Sequence, residues 1–400
     1  MRRELLPEDV DYAVKGGSVY GCGGGGFADH GRALGTIATS IGRPELVSVD
    51  ELDPDALIAT MAAIGAPGGL TAWEMRGVDY LRAVELLQEA CERPIVGLMI
   101  GQNGMSSTLN AWLPGAVLGL AVVDAVGDLR AHPTGDMGSL GLAMSPQPVI
   151  QTAAGGNRER GQYLEIVVRG PTARVSPALR TAADEAGGFI ASCRNPIPAR
   201  MIAERAVLGG ISQAIAVGRA IVGAEPHGGD AVIAAICAAT GGRILASGRV
   251  TRTGLAYTKE AFDCGRIEIA APGGRIVAHV LNEYMALERD GERIATYPDV
   301  ITTLTPAGVP VSAGRLAEGA PVHILHVPKT RIALSASVFD PSVYPTVERA
   351  LGIEIAAYAL QGGAGGAPSL APAPAAAAGS GSATAATAAA AAPKSRGAAP

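Results

Sequence analysis

The sequence predicts an α/β protein with a mostly parallel sheet and helices on both faces, followed by a β-rich domain and a disordered C-terminal tail. Three observations carry this. Apolar runs at 57–64, 95–100 and 120–124 each end at a polar or glycine-containing loop, and a helix-like stretch at 78–91 separates the first two; such alternation builds parallel sheets. After Gly241 the pattern changes to short runs at 243–250, 266–270, 275–281 and 322–327 with turn residues between them. From 362 to 400 the chain is dominated by Ala, Gly, Pro, Ser and Thr, with no Val, Ile, Leu or Met after Leu370, a composition that cannot repay its ordering entropy. The expected division is therefore 1–240, 241–361 and 362–400.

Taken in order, residues 5–14 form a helix opened by Pro7, with Glu8 and Asp9 where the macrodipole favours carboxylates. Val19-Tyr20 reads as the end of a short apolar strand running into the loop Gly21-Cys22-Gly23-Gly24-Gly25-Gly26-Phe27. Glycines there let the backbone adopt φ > 0 and approach a ligand closely. No Lys-Ser/Thr follows them, as a phosphate-binding Walker loop would need, and no acidic residue ends a clear second strand. Residues 45–49 read as a strand, and 57–64 as a strand ending at Gly65-Ala66-Pro67. In 78–91, Leu81, Val84, Leu87 and Ala90 recur at helical spacing opposite Arg82, Glu85 and Glu89. Pro94 ends that helix, 95–100 is a buried strand closing at Gly101-Gln102-Asn103-Gly104, and a helix starts near Ser106. The loops after Tyr20, Ile100 and Val123 are expected to converge, because ligands in parallel sheets gather beyond the carboxyl ends of strands. Residues 177–191, 199–208 and 229–239 read as helices, and Ala271-Pro272-Gly273-Gly274 and Arg289-Asp290-Gly291-Glu292 as hairpin turns.

The net charge is −5 with no basic stripe and few aromatics, which argues against nucleic acid. No apolar leader opens the chain and no run approaches a membrane-spanning length, so a cytoplasmic protein off the membrane is expected. Cys22, Cys91, Cys193, Cys237 and Cys264 are odd in number and widely spaced, as free thiols are.

The segment 124–136 holds Asp124, Asp128, Asp136, Arg130 and His132. Carboxylates with an imidazole suit general acid–base work or a hard metal, and Arg130 suits a substrate carboxylate; a solvated loop of Asx turns is the plainer alternative. The candidate catalytic residues are Asp124, Asp128, His132 and Cys22. Cys22 is either a nucleophile whose proton His30 takes or a small residue in a tight turn. Candidate substrate contacts are Gly23, Gly24, Gly25, Gly26, Gln102, Asn103 and Arg130, since Gln102 and Asn103 can read an amide-like ring edge or cap the loop. No cofactor is identified. Asp and His leave a divalent metal open, without a recognisable ligand spacing. His323 and His326, at odd spacing in one strand, face opposite ways and read as structural.

Taken together, the glycine loop 21–26, Ile64-Gly65-Ala66-Pro67, Glu74, Gly101-Gln102-Asn103-Gly104, Val123-Asp124-Ala125, Asn282-Glu283-Tyr284 and Tyr297-Pro298-Asp299-Val300-Ile301 resemble the DUF917, or S-methyl thiohydantoin desulfurase-like, family across about residues 10–355. The resemblance implies a three-layer α/β/α first domain, a smaller β-barrel-like second domain, and action on five-membered thiohydantoin or hydantoin-type rings alongside hydantoinase/oxoprolinase-type proteins. Most such proteins carry acidic or aromatic residues at three loops where this chain has Phe27-Ala28-Asp29, Met99-Ile100-Gly101-Gln102-Asn103 and Leu129-Arg130-Ala131-His132-Pro133-Thr134. Two functions follow as expectations: a hydrolase of a small cyclic amide or thioamide, or a non-catalytic ligand-binding partner of a hydantoinase-type enzyme. A homo-oligomer is left open.

Overall fold

The computed structural model describes residues 1–69 and 75–361. Glu74 and the tail expected at 362–400 lie outside the described residues. The first sheet contains β1 (Arg2–Glu4), β2 (Glu45–Val47), β3 (Leu57–Gly65), β4 (Ile95–Gln102), β5 (Ala121–Asp128), β6 (Val149–Gly155), β7 (Leu164–Gly170), β8 (Phe189–Pro198) and β9 (Val207–Leu208). Its order is β1-β2-β5-β4-β3-β8-β6-β7, with β9 paired to β5. The central strands β2, β5, β4 and β3 are mutually parallel, and β8 joins antiparallel to β3.

Period-2 alternation sends successive side chains of these strands to opposite faces. Ala59, Leu98, Ile100 and Val122 enter one core. Ile58, Met99 and Val123 enter a second. The first is closed by α1 (Pro7–Tyr20), α2 (Ala28–Ile41), α3 (Gly77–Ala90), α4 (Trp112–Leu118), and, after α5 (Thr172–Glu185) and α6 (Ala199–Arg205), by α7 (Gly210–Ala224) and α8 (Gly229–Thr240). The second is closed by Val175 and Leu179 of α5 and Ile202 of α6. This is the α/β/α layering.

The second sheet runs β14-β13-β12-β11-β10-β17-β15-β16, comprising β10 (Arg243–Tyr257), β11 (Asp263–Ala271), β12 (Gly274–Leu281), β13 (Glu283–Arg289), β14 (Glu292–Thr296), β15 (Val300–Leu304), β16 (Pro310–Val311) and β17 (Pro321–Val327). All its pairings are antiparallel. It curls into a half-barrel, so that Tyr284 Oη on β13 lies 3.0 Å from Thr303 Oγ1 on β15. Both expected hairpins form, and Asp290-Gly291 turns with φ of 50° and 90°.

Four expectations change. Val19-Tyr20 is not a strand end: α1 continues to Tyr20. Pro7 starts it, Asp9 Oδ2 accepts the Leu6 N–H at 3.0 Å, and Gly16 and Gly17 sit where neighbouring backbone comes too close for any side chain. A Cβ on Gly16 would lie 1.7 Å from Ala214 O of α7, and one on Gly17 2.3 Å from Gly104 O. Helix 177–191 is instead α5 followed by β8, broken at Gly187 and Gly188 with φ of 97° and 110°. Helix 199–208 ends at Arg205, and Val207–Leu208 pairs with β5. β5 also outlasts its expected end, so Asp124 lies within the strand and the loop after it begins at Leu129.

Candidate functional site

The glycine loop joins α1 to α2 and is held by backbone bonds from three directions. Ala131 N–H donates to Tyr20 O at 2.8 Å, Ser106 N–H to Gly25 O at 3.1 Å, and Tyr284 and Ala313 N–H to Cys22 O and Gly23 O, each at 2.8 Å. Cys22, Gly23, Gly25 and Gly26 all have positive φ. At Gly25 that conformation coincides with a close approach, since a Cβ would meet Gly104 Cα at 2.6 Å. The His132 N–H donates to Gln102 Oε1 at 3.0 Å. Thus the loops after α1, β4 and β5 meet, and the second sheet closes over them.

Between them is a cavity of about 570 Å³ lined by Gly23–Gly26, the end of β3, Gln102, residues 132–135 and Glu283. Of the expected site residues, Gly23, Gly24, Gly25, Gly26, Gln102 and His132 line it; Cys22, Asn103, Asp124, Asp128 and Arg130 do not. Each of those five has other work. Asp124 caps α7, accepting from the Ile211 and Ser212 N–H groups at 3.0 and 3.1 Å and from Ser212 Oγ at 2.5 Å. Asn103 donates to Leu129 O and Gly210 O, each at 3.1 Å. Arg130, fully buried, spends Nε, Nη1 and Nη2 on the carbonyls of Ala131, Asp299 and Tyr284 at 2.8, 2.7 and 2.9 Å. It ties the β5 loop to the second sheet. Asp128 accepts the Tyr297 hydroxyl at 2.5 Å, and burial pushes its carboxyl up to about 6 against that bond and the Arg130 charge. Cys22 is fully buried and burial raises its thiol, while His30 lies 3.0 Å from the Tyr80 hydroxyl.

Within the cavity wall two titratable groups stand out. Burial, helped by the Arg194 charge, pushes the His132 ring down to about 3 although the backbone at Gly101 and Thr134 pulls the other way. The ring is therefore neutral at ordinary pH, and neither nitrogen has a hydrogen-bond partner of good geometry among the described residues. Glu283 is 3% exposed. Burial raises its carboxyl to about 8, opposed by the charges of Arg130 and Arg180 and by the Gly25 backbone. It presses on the glycine loop, where a Cβ at Gly24 would meet its Oε1 at 2.3 Å. The sequence offered Glu283 within Asn282-Glu283-Tyr284 but no burial signal marked it as a site group.

Among the described residues no three His, Cys, Asp or Glu side chains are grouped as a metal site, and no helix is long and apolar enough to cross a membrane. His326 Nε2 lies 2.8 Å from Asp299 Oδ2, and His323 Nδ1 lies 2.7 Å from Ser247 Oγ, on opposite faces of β17.

No curated protein matches the chain. An X-ray crystal structure of a protein from Chromobacterium violaceum is similar in fold, with a TM-score of 0.69 at 22% identity, covering 88% of this chain and 96% of that one. The model of the S-Me-THD-like N-terminal domain matches residues 8–159 and that of the S-Me-THD-like C-terminal domain residues 171–337. With both halves matched in order, the chain belongs to the S-Me-THD-like family, the one its glycine loop and Asn282-Glu283-Tyr284 resemble.

Proposed function

We propose that the protein hydrolyses a small five-membered cyclic amide or thioamide, with hydrolytic desulfurisation of a thiohydantoin-type ring as the leading reaction. One observation carries this reading: Glu283 is a buried carboxyl raised to about 8 that faces the cavity against the glycine loop. Such a group is mostly protonated near neutral pH and serves as a general acid. In an S-methylated ring, water adds to the ring carbon that bears sulfur, the C–S bond breaks, and methanethiol leaves. Glu283 gives its proton to the departing sulfur. Of the two protons of the attacking water, one passes to the ring nitrogen of the C=N bond, which becomes the N–H of the product, and the other to the carboxylate left on Glu283. Gly23–Gly26 and Gln102 hold the ring edge.

The test is incubation of the full chain with hydantoins, thiohydantoins and S-methyl thiohydantoins, following released thiol or sulfide and ring opening. Turnover lost in Glu283→Gln supports the reading. Absence of turnover on every ring, with ligand-dependent thermal stabilisation, refutes it in favour of a non-catalytic ligand-binding subunit.

A further inference from the structure

Arg194 is a buried charged group of the cavity wall with no task in the proposed reaction. It sits on β8 opposite Thr60 of β3 and Gln151 of β6, in the middle of the first sheet, and is only 6% exposed. A guanidinium that deep is costly unless it is paired. Yet Nε has no hydrogen-bond partner, and among the described residues no carboxylate lies within ion-pair distance of it. The carboxylate that acts on it from further off, Asp136, accepts a hydrogen bond from Ser176 Oγ at 2.7 Å.

The surroundings leave room for the group and offer it companions. A Cβ on Gly135 would lie 2.4 Å from Arg194 Nη1 and one on Gly101 3.2 Å from Nη2, so two bare backbone positions make the space in which the guanidinium lies. Thr134 Oγ1, also lining the cavity, is buried and unpartnered. The Nε–H and Nη groups form an unfilled set of donors in the wall that also carries the Thr134 hydroxyl, which suits a planar carboxylate.

The other two arginines of the cavity are committed elsewhere. Arg180 donates to Ala261 O at 2.7 Å and to Pro133 O, and its guanidinium lies 3.8 Å from the centre of the Phe262 ring. Arg315 sits over the Phe27 ring at 5.2 Å. Arg194 is thus the buried guanidinium of the cavity whose N–H groups are not taken up by carbonyls of the described residues, and a carboxylate is the planar partner that fits them.

We infer that Arg194 and Thr134 form a carboxylate subsite, and that the natural ligand is a five-membered cyclic amide or thioamide bearing a carboxylate on its substituent. The ring half of this statement rests on the function proposed above; the carboxylate half rests on Arg194 alone. A ligand carboxylate supplies the counterion that the folded chain lacks. Its neutral amide leaves the guanidinium buried and unpaired, which penalises that ligand specifically.

The experiment is calorimetric titration of the full chain with hydantoin-5-acetate and with hydantoin-5-acetamide, which share the ring and differ in the charge. The acetate is expected to bind at least tenfold more tightly. That preference is expected to vanish in Arg194→Met, to survive in reduced form in Arg194→Lys, and to shrink a few-fold in Thr134→Val. The wild-type comparison needs no variant to fold. Equal affinities, preference for the acetamide, or failure of both ligands to bind would overturn the carboxylate subsite. Turnover measured on the same two ligands separates the two claims: acetate-selective binding without turnover keeps the subsite and removes the hydrolase, whereas equal turnover of both does the reverse.

Discussion

Replacing Glu283 by glutamine keeps the side chain's shape and removes its titration. In the folded protein burial raises the carboxyl from its ordinary 4.5 to about 8. Between those two values the unfolded chain has given up a proton that the folded chain keeps, so the unfolded state binds fewer protons and stability falls as pH rises. The contribution of Glu283 is complete below its unfolded value of 4.5 and is lost as pH climbs through about 8. At about 1.4 kcal/mol per pH unit, that interval is worth on the order of 5 kcal/mol. Glutamine carries no such liability. Urea unfolding of wild type and Glu283→Gln from about pH 5 to about pH 8.5 measures the difference directly. The gap between them is expected to move by several kcal/mol in the variant's favour across that range. A gap that does not change with pH would show that Glu283 ionises normally, and would remove the acid from the proposed reaction.

The remaining predictions concern His132 and the residues that the fold assigns to other tasks. The His132 ring, held down at about 3, is expected to show no NMR titration between about pH 5 and about pH 8. Because its folded value is depressed, its effect on stability appears only as pH falls below its unfolded value of 6.5. Arg130→Met strands the carbonyls of Ala131, Asp299 and Tyr284, and a loss of about 3–5 kcal/mol in urea unfolding is expected. Asp124→Ala removes the cap of α7 and costs about 1–2 kcal/mol while leaving ligand affinity in calorimetry unchanged. Cys22, buried with a raised thiol, is expected to resist iodoacetamide in the native protein and to react once urea unfolds it.

Much of the fold was legible because the strands of a sheet covered on both faces read as nearly continuous apolar runs, as in 57–64 and 95–100. The extent of α1 was not legible, because Gly16 and Gly17 look like helix breakers until the packing of α7 and the Gly104 loop against them is seen. β6, β7 and β8 are antiparallel additions whose partners lie far along the chain, and local periodicity carries no record of such pairings. At the site, chemical type identified the right loops but not the right side chains within them. Asp124 and Arg130 have the character of site residues, and only their hydrogen bonds show them holding a helix end and a second sheet. Glu283 and Arg194 were missed for the converse reason. Each is an ordinary polar residue in a strand, and burial next to segments distant in the chain gives it its unusual electrostatics.

The carbonyls of Cys22 and Gly23 accept from Tyr284 and Ala313, so the loop that floors the cavity takes its shape from a strand and a turn encoded over 250 residues downstream. Arg194 likewise reaches the same cavity from β8, within the stretch matched by the C-terminal family model, yet β8 is hydrogen-bonded into the sheet begun by the N-terminal half. The two halves are therefore poor candidates for modular exchange. A chimera that joined the first half of one relative to the second half of another would assemble a cavity inherited from neither parent. Its ligand preference would be decided at the seam, and compensating substitutions would be found in pairs that straddle it.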